Sequence, residues 1–197
     1  SAHYTFSSPE DSQVANGLPA TVKSLIVNIA EPGNPIIEHE LELVGDVTIT
    51  EKLKYMAGDI KTGDFGISYT SGATLEYAGL YFTQLTDNGC FPASDGPTHL
   101  VIDNERGVVL HATRTIPGDM LLADGEFDLD GNIITVNGTT TKMVDGSITN
   151  RNWYTDGYNE PSKFIRFAET NNSGYLKNIT VTTSVDQQIS GVVKRKW

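Results

Sequence analysis

Apolar residues in this chain alternate with polar ones over about four to six positions at a time and then stop at a Gly, Asn or Asp. Leu41 and Leu43 run into Gly45, Val47 and Ile49 follow, and Ile60 runs into Gly63. Phe127 and Leu129 run into Gly131, and Ile134 and Val136 into Gly138. A period of two puts one side chain in and the next out, which is the signature of a strand with one buried face. No helical period fills the gaps between these units. Nor does any apolar run approach the ~18 residues of a membrane-spanning helix. The chain is therefore expected to be all-β.

Thr, Ile, Val and Tyr recur in the short runs, and these types fit a pleated, half-buried surface. The charge balance is acidic, with 25 Asp and Glu against 14 Lys and Arg. A net charge of −11 repels a phosphate backbone and excludes nucleic acid as a partner. The sole cysteine, Cys90, leaves no internal disulfide and reads as a small buried apolar residue. The opening SAHYTFSSPED lacks the basic-then-apolar pattern of a signal peptide, and the closing ISGVVKRKW stops in a strand-like run. The expectation from both ends is a piece of a longer protein.

Two stretches, at about 18–79 and 97–146, align with one another. Leu25 and Val27 match Leu100 and Ile102, PII at 35–37 matches VVL at 108–110, VGDVTI matches PGDMLL, and GDIKTGD matches GEFDLDG. Turn-marked strands in a degenerate repeat point to a right-handed parallel β-helix, or β-solenoid, over residues 1–149. There each strand pairs with its equivalent one coil above and below. A β-sandwich with the same strands joined as hairpins is the competing architecture; the repeat and the scarcity of two-residue hairpin turns favour the solenoid. Residues 150–197 carry longer, less punctuated strands and are expected to form a C-terminal β cap or appendage, because an open coil end presents unpaired backbone groups.

The residues Gln13, Val14, Gly17, Leu18, Pro19, Val22, Leu25, Val27 and Asn28, followed by Gly45, Val47, Ile49, Gly58, Ile60 and Gly63, form a pattern. It resembles the β-solenoid repeats of very large secreted surface proteins of the Bacteroidota, and covers about three quarters of the chain. The resemblance implies export by the type IX system, a place at the cell surface and a role as adhesin or stalk. Its motifs are structural rather than catalytic. This chain is more charged than the family pattern, as in EKLKYMAGDIK.

The acids Asp124, Glu126, Asp128 and Asp130 stand at every second position in LLADGEFDLDG. In a solenoid strand Phe127 and Leu129 point inward, Glu126 and Asp128 face solvent, and Asp130, Gly131 and Asn132 make the corner. The functional alternative is calcium held by Glu126, Asp128 and Asp130, since alternate carboxylates before a Gly imitate the start of an oxygen-ligand loop, although the bidentate Glu that would complete a helix–loop–helix site is missing. Asp156, Asn159 and Glu160 in WYTDGYNE are a weaker second set.

His3, His39, His99 and His111 lack zinc spacing, and His39 and His111 fall within a residue of each other in the aligned stretches, which suggests one shared structural position. Arg106 and Arg114 lie near His111, but no spacing ties them to the acids as a lyase site would require. The aromatics Tyr77, Tyr81, Phe82, Phe91, Trp153, Tyr154 and Tyr158 cluster in irregular stretches. Trp153, Tyr154 and Tyr158 are the candidates for stacking on sugar rings, with packing beneath the loops as the plainer reading. The Thr-x-Thr pairs are too unevenly spaced for an ice-binding face.

These features lead to the expectation of a non-catalytic structural and adhesive module of a secreted, extracellular multidomain protein. No cofactor is required, calcium is the candidate ion, and neighbouring domains and surface glycans are the candidate partners. The alternative is a β-helix polysaccharide-degrading enzyme or a carbohydrate-binding module.

Overall fold

A computed structural model describes residues 2–7, 12–29, 39–79 and 82–149, together with the short stretches 167–168 and 179–181. Its strands in chain order are β1 (His3–Ser7), β2 (Gln13–Val14), β3 (Thr21–Asn28), β4 (Glu40–Glu42), β5 (Val47–Ala57) and β6 (Asp59–Lys61). They continue with β7 (Ile67–Tyr69), β8 (Thr74–Tyr77), β9 (Gln84–Leu85), β10 (His99–Asp103), β11 (Val108–Val109) and β12 (Arg114–Ile116). The last are β13 (Met120–Asp128), β14 (Ile134–Val136), β15 (Thr140–Thr149), β16 (Phe167–Ala168) and β17 (Ile179–Val181).

Every strand pairing among the described residues is parallel, so hairpins are absent there and the sandwich is excluded. The strands stack as a β-solenoid of about 6 turns. The largest sheet has eleven strands, and β2-β4-β6 and β12-β14-β16 form two smaller ones. Coil-to-coil bonds such as those of Gly66 to Asp46, Thr139 to Asp119 and Thr50 to Val22 join residues 20 to 28 apart in sequence. No helix among the described residues is long and apolar enough to cross a membrane.

In-register parallel pairing places like side chains on one another. Tyr4, Leu25, Leu53, Leu75, Leu100 and Met120 lie in one inward column, and Phe6, Val27, Tyr55, Tyr77, Ile102 and Leu122 lie in the next. From Leu25 to Met120 the first column is fully buried. Each such side chain contributes about 1.5–3 kcal/mol on leaving water. Val108, Phe127 and Ile148 stack on another wall, with Leu110 and Leu129 buried beside them. One coil beyond Met120 and Leu122 the two columns turn polar, at Thr140 and Lys142, both buried.

The two stretches aligned by sequence each hold three rungs, Leu25–Leu53–Leu75 and Leu100–Met120–Thr140, and Leu25 and Leu100 share a column as the alignment has it. VGDVTI and PGDMLL do not. Val47 and Ile49 stack on Ile67 and Tyr69, whereas Met120 and Leu122 stack on Leu100 and Ile102, in the column that passes through Leu53 and Tyr55 further along the same β5. The segment PII at 35–37 lies outside the described residues.

The corners need backbone that most residues resist. Gly58 and Gly125, which the alignment equates, have φ of 94° and 74°. A Cβ on Gly125 would sit 1.7 Å from the Asn104 carbonyl oxygen, and one on Gly58 would sit 2.8 Å from that of Ile29. One corner also carries polar groups into the interior. Asn104 Nδ2 donates to Gln84 Oε1 at 2.9 Å and to the Phe82 carbonyl at 3.1 Å, while Gln84 Nε2 donates to the Tyr55 carbonyl at 3.1 Å. With its amide satisfied in this way, Gln84 occupies an inward position beside Val108 without the cost of an unpaired polar group.

Beyond residue 149, β16 adds to β14 and β17 adds to β15, both in parallel, so these five residues continue the ladders. The rest of the expected 150–197 cap lies outside the described residues.

Leu53→Ala is expected to destabilise by about 2–5 kcal/mol, because the rungs on either side hold the cavity open. Gly125→Ala is expected to cost more than the ~1–2 kcal/mol of a left-handed residue bearing a Cβ, since the Asn104 carbonyl must also move. Urea unfolding of the two variants beside the parent checks both.

Candidate functional site

The acids at alternate positions separate once the chain coils. Glu126 is half-buried and in register with Ser147. Asp128 is buried, at 4% exposure, which corrects the expectation that it faces solvent. The cause is local: Asp128 Oδ1 turns back to accept the amide of Asp130 at 3.0 Å and so shapes the turn. Phe127 and Leu129 point inward as expected. Asp130 and Gly131 take φ of 43° and 78°, and the Asn132 amide donates to the Leu129 carbonyl at 2.7 Å, so the corner is where the sequence put it. Among the described residues no three acid, histidine or cysteine side chains are grouped to hold a metal ion.

A different set of acids does line up. Asp103, Asp124 and Asp145 occupy consecutive rungs in register, and all three are half-buried or exposed. Rungs lie about 4.8 Å apart, close enough for like charges to repel. Burial pushes the Asp103 carboxyl above its ordinary value, with the Glu76 and Asp124 charges adding to the shift and Lys54 and Lys52 opposing it. The sequence signal for this ladder is an Asp followed by a corner residue, in IDNERG, ADGEFD and VDGSIT. Alternation along the chain hid it, because the three acids are neighbours only across coils.

Beside the ladder, the nearly buried Glu76 accepts from Lys52 at 2.5 Å and Lys54 at 2.7 Å. Burial raises its pKa, but the two ammonium groups outweigh burial and hold the carboxyl below the ordinary range. The outward face of the large sheet thus passes from a lysine–glutamate cluster to a ladder of aspartates.

The histidines are dispersed. His3 Nδ1 bonds Ser24 Oγ at 2.9 Å, and His99 Nδ1 accepts the Asp119 amide at 3.0 Å. His39 immediately precedes β4 whereas His111 follows β11, so the shared position expected for them is not found. Arg106 is exposed and faces Glu105 at 3.5 Å. Arg114 is buried instead: Nε donates to the Phe91 carbonyl at 2.8 Å, Nη2 donates to Asn88 Oδ1, and the guanidinium lies 5.7 Å from the Phe91 ring centroid.

Tyr77 and Phe91 are core residues, which removes them from any sugar-stacking surface. Tyr77 meets Tyr55 edge-on at 5.8 Å, and Tyr69 Oη donates to the Cys90 carbonyl at 2.5 Å. Cys90 is buried, and burial pushes its thiol well above the ordinary range, away from nucleophile chemistry. Tyr81, Trp153, Tyr154 and Tyr158, with Asp156, Asn159 and Glu160, lie outside the described residues. No protein-family model, curated protein or solved structure matches the chain.

Asp124→Asn keeps the acceptor that Asp124 Oδ1 offers the Gly125 amide at 2.6 Å while removing the middle charge of the ladder. It is expected to stabilise by about 0.2–1 kcal/mol at low ionic strength, and salt should shrink the gain; denaturant titration at two salt concentrations checks this. Glu76 contributes stability that is fully present above its ordinary value of 4.5 and is lost as pH falls through the lowered folded value. Glu76→Gln is therefore expected to flatten the acid limb of a plot of melting temperature against pH.

Proposed function

We propose that this chain is a non-catalytic structural and adhesive module of a secreted, multidomain cell-surface protein. The observation that supports the reading is the unbroken apolar column running from Leu25 through Leu53, Leu75 and Leu100 to Met120. A coil stack built on such columns is stiff, because each inner rung is hydrogen-bonded above and below. It also lengthens simply by adding rungs. Those are the properties of a spacer that holds other domains away from a surface.

The outer assignments rest on the resemblance to secreted Bacteroidota solenoids: extracellular location, type IX export, and neighbouring domains and surface glycans as partners. Trp153, Tyr154 and Tyr158 would supply the aromatic faces for glycan stacking. Calcium, abundant outside cells, is the cation proposed to screen the exposed acidic residues.

Glycan-array binding by the whole chain, run beside incubation with pectin and alginate, tests the reading. The expected result is retention of one or more glycans, lowered by replacing Trp153 with Ala, and no turnover. Release of reducing ends or unsaturated products from either polymer would overturn it in favour of a β-helix polysaccharide-degrading enzyme.

A further inference from the structure

The segment between β9 and β10 departs from the coil pattern. It puts Cys90 and Phe91 into the interior, each 1% exposed. Three sets of bonds hold it. Asp87 caps the segment from within, its Oδ1 accepting the Cys90 amide at 2.7 Å and its carbonyl accepting the Phe91 amide at 2.9 Å. Tyr69 holds it from β7, its Oη donating to the Cys90 carbonyl at 2.5 Å and its backbone N–H donating to the Asp95 carbonyl at 2.9 Å. Arg114 holds it from β12, through Phe91 O and Asn88 Oδ1.

The third anchor depends on a histidine in one protonation state. Arg114 Nη2 lies 2.8 Å from His111 Nε2. A guanidinium nitrogen can only donate, so Nε2 must be the bare, accepting nitrogen. The ring proton then sits on Nδ1, 2.6 Å from Thr86 Oγ1, which also accepts the His111 amide at 2.9 Å. Adding a proton to Nε2 sets two donors and two positive charges against each other at the same place. The new N–H has an acceptor at hand, Asn88 Oδ1 at 3.2 Å, but that is the oxygen Arg114 uses.

We propose that His111 and Arg114 form a proton-operated latch: neutral His111 keeps Arg114 bound to the 86–97 segment, and protonated His111 drives Arg114 off and releases the segment with Phe91 and Cys90. The charged groups acting on His111 are Arg114, which disfavours the added proton, and Asp87, in the segment itself, which favours it. Burial, followed by the Arg114 charge, depresses the affinity of the closed state for the proton. The closed state is therefore fully favoured above the ordinary value of 6.5 and loses ground as pH falls from there to the lower value of the latched ring. Each pH unit in that window is worth about tenfold in the closed-to-open ratio.

Hydrogen exchange followed by mass spectrometry at about pH 7.5 and pH 5.0, with times scaled for intrinsic exchange, tests the latch. Peptides within 86–97 are expected to lose protection by about tenfold at the lower pH while those of 47–57 and 120–128 keep theirs. His111→Gln, which cannot take the proton, is expected to abolish the difference. After division by the rate of a free model thiol with 4,4′-dithiodipyridine at the same pH, Cys90 should be about tenfold more reactive at pH 5.0 than at pH 7.5. Unchanged protection of 86–97, an equal loss in His111→Gln, or a loss shared by the coil strands would overturn the proposal. Should the Gln variant fail to hold the segment at pH 7.5, the midpoint of opening in the parent protein is compared with the His111 ring titration followed by NMR. Coincidence supports the latch and divergence overturns it.

Discussion

Parallel pairing in register is the constraint from which the rest of this molecule follows. A strand bonded to its equivalent one coil away places each side chain on the corresponding side chain of its neighbour, so the columns, not the individual coils, are the units of packing. Leu on Leu across Leu25, Leu53, Leu75 and Leu100 satisfies this without strain, because the branched ends nest at the rung spacing. The edge-on meeting of Tyr55 and Tyr77 is an aromatic solution to the same stacking.

The same constraint makes charge on a column costly. Two outcomes appear side by side on the outer face. Lys54 and Glu76 stand on successive rungs and neutralise one another, with Lys52 joining from a neighbouring position. Asp103, Asp124 and Asp145 stand on successive rungs without such a partner within the column. Position in the coil explains the difference: the aspartates sit next to the corner residues Asn104, Gly125 and Gly146, where a short acceptor helps the chain turn, as Asp124 Oδ1 does for the Gly125 amide. Turn geometry favours Asp at that rung in these three coils, and the like-charge ladder is its consequence.

The strands and their inward faces were legible in the sequence because alternation is a local property. Phe127 and Leu129 point inward, Asp130 and Gly131 turn the corner, and Leu25 and Leu100 share a column, each as read from the residues. What failed was whatever depended on the frame between coils. Asp46 and Asp119 both accept an amide from the coil above, from Gly66 at 2.9 Å and Thr139 at 2.7 Å, so VGDVTI and PGDMLL look alike while stacking in different columns. His39 and His111 misled in the same way. Asp128 escaped because its carboxylate closes its own turn, and the acidic ladder escaped because its members are close only across coils. The Arg114–His111 contact is short in sequence, yet its meaning lies in the segment it grips.

Columns also govern how such a chain can change length. Losing a single residue inside a strand would swap the inner and outer faces of everything up to the next corner. Excising one whole turn, from a position in one coil to the same position in the next, would instead join surfaces that already match. Over evolutionary time this architecture should therefore gain and shed material in complete turns, with irregular additions confined to bends such as the stretch from Thr86 to Pro97.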